Sequence, residues 1–162
     1  LTRILMTEYG SQFVGDEYEP AKINMITTAA YFYNLGYMTI PDRCIDFPKK
    51  NESDYRMFQK HTTAGAKFVR MNTASSCAYF SAVCSDICMY HHERYDGSGY
   101  EKKTDLPMYV NIVAICDVYD ALTSNRVYRD ALEREEALEM IERGDCGAFS
   151  KELIEHLKRI AD

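Results

Sequence analysis

The sequence of 162 residues contains no tryptophan, so large apolar volume must come from its 13 tyrosines, 7 phenylalanines and 8 methionines, which read mostly as core filler. No uninterrupted apolar run approaches the ~18 residues of a membrane span, and no secretory leader pattern is visible. Positive charge is in deficit: 19 Lys and Arg against 25 Asp and Glu give a net −6. That excludes a non-specific nucleic-acid binder, because nothing here would neutralise a row of phosphates. Local basic clusters could still hold a small anion. None of the six cysteines, at 44, 77, 84, 88, 116 and 146, forms a CxxC pair. They read as reduced, buried thiols of a cytoplasmic protein. Period-two alternation is scarce, which argues against sheets. Internal repeats, low-complexity tracts and interdomain linkers are absent too.

What is present is an ordinary globular composition, 46% hydrophobic and 27% charged. The length suits one domain, residues 1–162, and is too short for two comfortable ones. The chain opens on Leu1 rather than Met, which reads as a piece of a longer protein. Helical periodicity dominates, so the expected fold class is all-α. Helices are expected over Leu1 to Phe13, Glu19 to Asn34, Ser53 to about His61, Thr63 to Arg70 and Thr73 to His91. Others should run from Pro107 to near Ser124, Glu133 to Glu142 and Ser150 to Ile160. Pro20 suits a first helical turn, Gly36 a helix end, and Asn51 or Ser53 an N-cap. Ile40-Pro41-Asp42 begins a connection running past Pro48, and Gly144-Asp145-Cys146-Gly147 breaks the last two helices.

Two features carry chemistry. His91-His92 ends a helical run and is followed by Asp96-Gly97-Ser98-Gly99-Tyr100. Neutral imidazole is the commonest side-chain metal ligand, and adjacent histidines can aim at one ion where the backbone leaves the helix. Cys84, Cys88 and His92 cannot form a site instead, since at about 1.5 Å rise per residue they span roughly 12 Å. Cys77, Cys84 and Cys88 fall on one helix face, where thiols act as small core hydrophobes. The second feature is Asp117, inside Ile112-Val113-Ala114-Ile115-Cys116-Asp117-Val118-Tyr119. A carboxylate there requires a cation, a metal or several donors. Asp120 lies three residues on, near the same face, and one of the two aspartates could meet Arg126, Arg129 or a backbone cap. His156, on a charged helix, reads as a surface residue.

The His pair with its turn, and the segment Ile112 to Arg129, resemble the HD-GYP branch of the HD metal-dependent phosphohydrolases. Phe58 to Gly65 is similar to the family helix that supplies a further histidine, and Glu135 to Leu138 to its closing region. The resemblance implies an HD-domain-like bundle of about seven helices. It also implies metal ions that activate water against a phosphodiester, usually in cyclic di-GMP. Carried over by position, His61, His91 and His92 match ligands of one ion, and Asp117 a ligand of its neighbour. Tyr33, Asn34 and Tyr37 stand where the family has a His, an Asp and a phosphate-contacting Lys. Glu101 stands where it has a proline. A further family ligand would fall at or before Leu1.

The missing aspartate matters most. Two dications about 3.5–4 Å apart repel by about 15–20 kcal/mol at an effective dielectric near 20. A bridging carboxylate offsets part of that, whereas Asn34 brings no charge and one carbonyl oxygen. The expectation is that a binuclear centre does not assemble. His61, His91 and His92 could retain one Zn, Fe or Mn ion, or persist as hydrogen-bonded histidines. Tyr33 and Tyr37 would fill the vacated space or stack on a guanine. Arg94, Tyr100, Lys102 and Lys103 are candidate ligand-binding residues, although loop basics are more commonly solvated. Three functions follow: a regulatory or binding module of bacterial cyclic di-GMP signalling without turnover, a residual metal-dependent phosphodiesterase, and a helical dimerisation scaffold. Expected partners are other domains of the same longer chain, a second copy, or a cyclic dinucleotide.

Overall fold

Helix ends are set by a few local signals in the computed structural model, which describes residues 1–9, 20–45 and 51–161. The helices are α1 (Thr2–Glu8), α2 (Pro20–Ala30), α3 (Asp42–Ile45), α4 (Glu52–Asn72), α5 (Ala78–Tyr90), α6 (Met108–Thr123), α7 (Arg134–Arg143) and α8 (Lys151–Ile160). Short 3-10 helices cover Leu35–Thr39 and Ser75–Cys77. No strand forms among the described residues, only an isolated bridge between Arg126 and Arg129. The all-α expectation holds, with eight α-helices among the described residues. The expected stretch from residue 10 to Phe13, and the connection around Pro48, lie outside the described residues.

Pro20 opens α2, where its missing N–H costs nothing. The Asn51 side chain accepts from the Asp54 N–H at 2.8 Å and caps α4. Ser150 does the same for α8 through the Leu153 N–H, and Gly144 closes α7 in the left-handed region at φ 78°. Pro107 precedes α6, as its sequence position suggested.

Several boundaries differ from the sequence expectation: α5 starts at Ala78 rather than Thr73, and the short α3 falls in the expected connection. The break between His61 and Thr63 does not exist, and α4 runs through it. The Thr62 and Thr63 hydroxyls donate back to the Gln59 and Lys60 carbonyls at 3.0 Å, so two β-branched residues sit mid-helix with their polar atoms satisfied. Conversely, α2 stops at Ala30 instead of Asn34. From Tyr31 onward the backbone bonds reach back three residues, Phe32 to Ala29 and Tyr33 to Ala30, and the coil tightens toward the 3-10 turn.

Gly36 does not end α2 but lies buried in that 3-10 helix, against α4. A Cβ there would fall 1.8 Å from the His61 carbonyl oxygen, and one on Gly65 would fall 3.1 Å from the Gly36 nitrogen. Two glycines let the backbones touch, which seats the 33–37 segment directly over His61. The core joins α1, α2, α5, α6 and α8 through Leu5, Ile26, Ile87, Ile112, Ile115 and Leu157, each at most 1% exposed. No described helix is long and apolar enough to cross a membrane.

Several side-chain expectations need correction. His156 is buried, its ring 4.8 Å from that of Tyr9, because α8 turns this position toward α1. Cys77 is exposed, since the chain there is a 3-10 turn ahead of α5 and off the face of Cys84 and Cys88. The tyrosines are not mainly core: Tyr31, Tyr55, Tyr79, Tyr95 and Tyr128 are exposed, and aliphatic residues fill the centre instead.

Candidate metal centre

His61 projects from the middle of α4, while His91 ends α5 and His92 follows it. One ring nitrogen from each lies within 4.8 Å of the other two, and this is the only such set among the described residues. His61 and His91 are fully buried. The His61 Nδ1 bonds the Phe58 carbonyl at 2.7 Å, and the His91 Nδ1 bonds those of Ile87 and Cys88 at 3.1 and 3.0 Å. A carbonyl only accepts, so both rings carry their proton on Nδ1 and turn a bare lone pair outward on Nε2.

Those two Nε2 atoms face each other at 3.3 Å. Neutral rings in these tautomers have no proton to share across that gap. A tetrahedral ion with Zn–N bonds of 2.0–2.1 Å places its nitrogens about 3.3–3.4 Å apart, which matches the separation. The Nε2 of His92 and the Oδ1 of Asn34 are buried without partners among the described residues. The donor set therefore fits one borderline-soft cation. Burial pushes the His61 and His91 imidazoles down to about 4, and His92 still lower with help from its two neighbours. At neutral pH all three are unprotonated and free to ligate.

Tyrosines surround this set. The Tyr33 ring meets His91 edge-on at 5.0 Å, Tyr37 packs on His61 at 4.4 Å, and Tyr100 stacks on His92 at 4.6 Å and 27°. Tyr33 and Asp117 line one cavity, and burial with the nearby carboxylate pushes the Tyr33 phenol upward. Burial likewise raises the Asp117 carboxyl, while the nearby Tyr33 phenol and the Arg94 and Arg126 charges pull it back. A cavity of about 560 Å³ opens beside them, with Tyr33, Asn34, Tyr37, His92, Asp117 and Arg126 in its wall.

The arginine pairing expected of one of the two aspartates falls on Asp120 rather than Asp117. Arg126 lies 3.8 Å from Asp120, and Arg129 donates to the Ala121 and Leu122 carbonyls at the end of α6. Arg94 is not an exposed loop cation but is buried at 8% exposure. Its Nε donates to the Cys146 carbonyl at 2.8 Å, and its Nη1 to those of His91 and Glu93 at 3.1 and 2.7 Å. The guanidinium also sits 4.9 Å above the Phe149 ring. Lys102 and Lys103 do not line the cavity, and the Lys103 ammonium lies over Tyr90 at 4.8 Å. Cys84 and Cys88 turn their thiols to the Ala29 and Phe32 carbonyls, away from the histidines. Sequence reasoning missed Glu93, whose buried carboxylate organises the loop after the histidines. Its position beside two histidines looked like an ordinary helix-end acid.

The described residues form an all-helical fold in which histidines from two helices converge as a set of metal-ligand type beside an aspartate. The family model of the HD domain matches residues 13–146, and the chain belongs to that family. Within it the chain is related to cyclic dinucleotide phosphodiesterases at about 30% identity. A probable cyclic di-GMP phosphodiesterase of Vibrio cholerae is 32% identical over 146 residues, covering 86% of this chain and 33% of the relative. The cyclic di-GMP phosphodiesterase response regulator RpfG of Xanthomonas campestris is 34% identical over 121 residues, 72% of this chain and 31% of the relative. A 3'3'-cGAMP-specific phosphodiesterase of Vibrio cholerae is 30% identical over 141 residues, 85% and 26% respectively. The chain thus spans a quarter to a third of the length of these relatives.

Proposed function

We propose that this domain is a binding or regulatory module of cyclic dinucleotide signalling, holding one metal ion at His61, His91 and His92 and lacking phosphodiester turnover. The observation that carries the reading is the place of Tyr33, whose ring meets His91 edge-on at 5.0 Å and which shares a cavity wall with Asp117. The carboxylate available to a second ion shares its cavity wall with a phenol where the family has an imidazole. The aromatic ring occupies space beside the histidines, and Asn34 brings no compensating charge. Asp117 would then orient a ligand or water rather than share a metal pair. An ion at the three histidines supplies positive charge that can polarise a phosphoryl oxygen. Other domains of a longer chain, or a second copy, are the natural recipients of the signal.

A residual phosphodiesterase working with one ion is the second reading, favoured by the presence of His92 and Asp117 in the wall of one cavity. The test is metal content by mass spectrometry, on protein purified without a nickel column, together with product analysis on cyclic di-GMP and 3'3'-cGAMP. We expect one ion per chain and no linear dinucleotide. Two tightly bound ions, or turnover that a chelator abolishes, would overturn the first reading. Loss of that turnover on replacing His91 and His92 by Ala would establish the second.

A further inference from the structure

Glu93 is 1% exposed and follows the His pair directly. Its Oε1 accepts from the Glu101 N–H and its Oε2 from the Lys103 N–H, both at 2.8 Å. Between those amides Lys102 takes φ 57°, the one positive value outside glycine among the described residues. Successive N–H groups turned inward by such a kink form a concave anion seat, and here the anion is the side chain of Glu93. Gly99 makes the approach possible: a Cβ there would lie 2.4 Å from the Glu93 Cα and 2.7 Å from its carboxyl carbon. The loop is therefore wrapped on this carboxylate at both ends of Tyr100, the residue whose ring stacks on His92. Tyr55 packs edge-on behind Tyr100 at 6.4 Å.

The His92 Nε2 has no partner of its own to fix the ring. Its direction depends on ring packing, and Tyr100 supplies the stacked face. We propose that Glu93 is a positioning residue for the histidine centre: by gripping the Glu101 and Lys103 amides it holds Tyr100 against His92 and so aims the His92 Nε2 at the ion. This rests on the one-ion reading of the three histidines. Groups that orient a metal ligand without touching the metal typically change affinity about 10–100-fold when removed.

Glu93→Gln is the informative variant, because its NH2 must face one of the two amide N–H groups, donor against donor. Zinc affinity, measured by competition with a chromophoric chelator, should fall at least about 10-fold in Glu93→Gln. Tyr100→Ala should fall similarly, Tyr100→Phe should keep wild-type affinity, and the double variant Glu93→Gln/Tyr100→Ala should lose no more than either alone. In zinc-free protein the ring-current shift of the His92 Cε1 proton should disappear in both Glu93→Gln and Tyr100→Ala. Unchanged zinc affinity in Glu93→Gln, or losses that multiply in the double variant, would overturn the proposal. If the wild-type histidines take up no zinc, the one-ion reading fails. The ring-current shift then decides the role of Glu93, and its persistence in Glu93→Gln overturns it.

Discussion

Acid should unfold the chelator-treated protein sooner than its surface charges require, and the histidine centre sets the amount. In the unfolded chain each imidazole takes up its proton near 6.5. In the fold His61 and His91 do so only near 4, because burial disfavours the cation. Below pH 6.5 the unfolded state therefore binds more protons, and stability falls with pH until the folded groups titrate in turn. Over the 1.5 units from 6.5 to 5, at about 1.4 kcal/mol per unit, each ring contributes a loss of about 2 kcal/mol, and the pair about 4. His92 adds in the same direction. Asp117 acts oppositely, since its raised carboxyl lets the fold bind that proton first. That gain begins as the pH falls through the raised Asp117 titration and offsets part of the imidazole loss, so the midpoints are compared in an Asp117→Asn background. A domain of this size holds about 5–15 kcal/mol in all, so the loss is large enough to read from urea midpoints at pH 7 and pH 5. His61→Asn should remove about a third of the pH dependence. A midpoint that stays level between those pH values would refute the account of three buried, uncharged rings.

Gly36→Ala should destabilise by about 3 kcal/mol or more, because the new Cβ meets the His61 carbonyl and nothing in a backbone contact can turn aside. A urea midpoint close to wild type would contradict the glycine-to-glycine packing. Tyr33→His, Asn34→Asp and Tyr37→Lys together should restore a charged ligand beside His91. They should raise metal content from one ion toward two, with linear product from cyclic di-GMP following. Metal content fixed at one would show that more than these three side chains separates this cleft from a binuclear one.

The chemistry of the centre was readable where it depends on local chain direction. Two histidines at a helix end followed by a glycine-rich turn must leave the helix together, and Pro20, Asn51, Pro107 and Ser150 mark helix starts by rules that operate within four residues. The departure at Asn34 was also visible, since identity at a position needs no tertiary knowledge. What failed depended on which side of a helix meets a neighbour. His156 sits among charges in sequence, yet α8 turns it against Tyr9. Arg94 carries a charge that a loop would normally solvate, but three carbonyls converge on it. The continuity of α4 was hidden because adjacent threonines look like a helix start when their back-bonding to Gln59 and Lys60 is unknown.

The Arg94 guanidinium has a consequence for dissecting the protein. One side chain fastens the backbone that bears the His pair to the bend after α7 and to the Phe149 ring just beyond it. A fragment cut at Gly144 would keep all three imidazoles of the centre and still release the strap that holds two of them in register. Trimming this domain from its C-terminal side should therefore disarm the metal pocket before any ligand has been deleted.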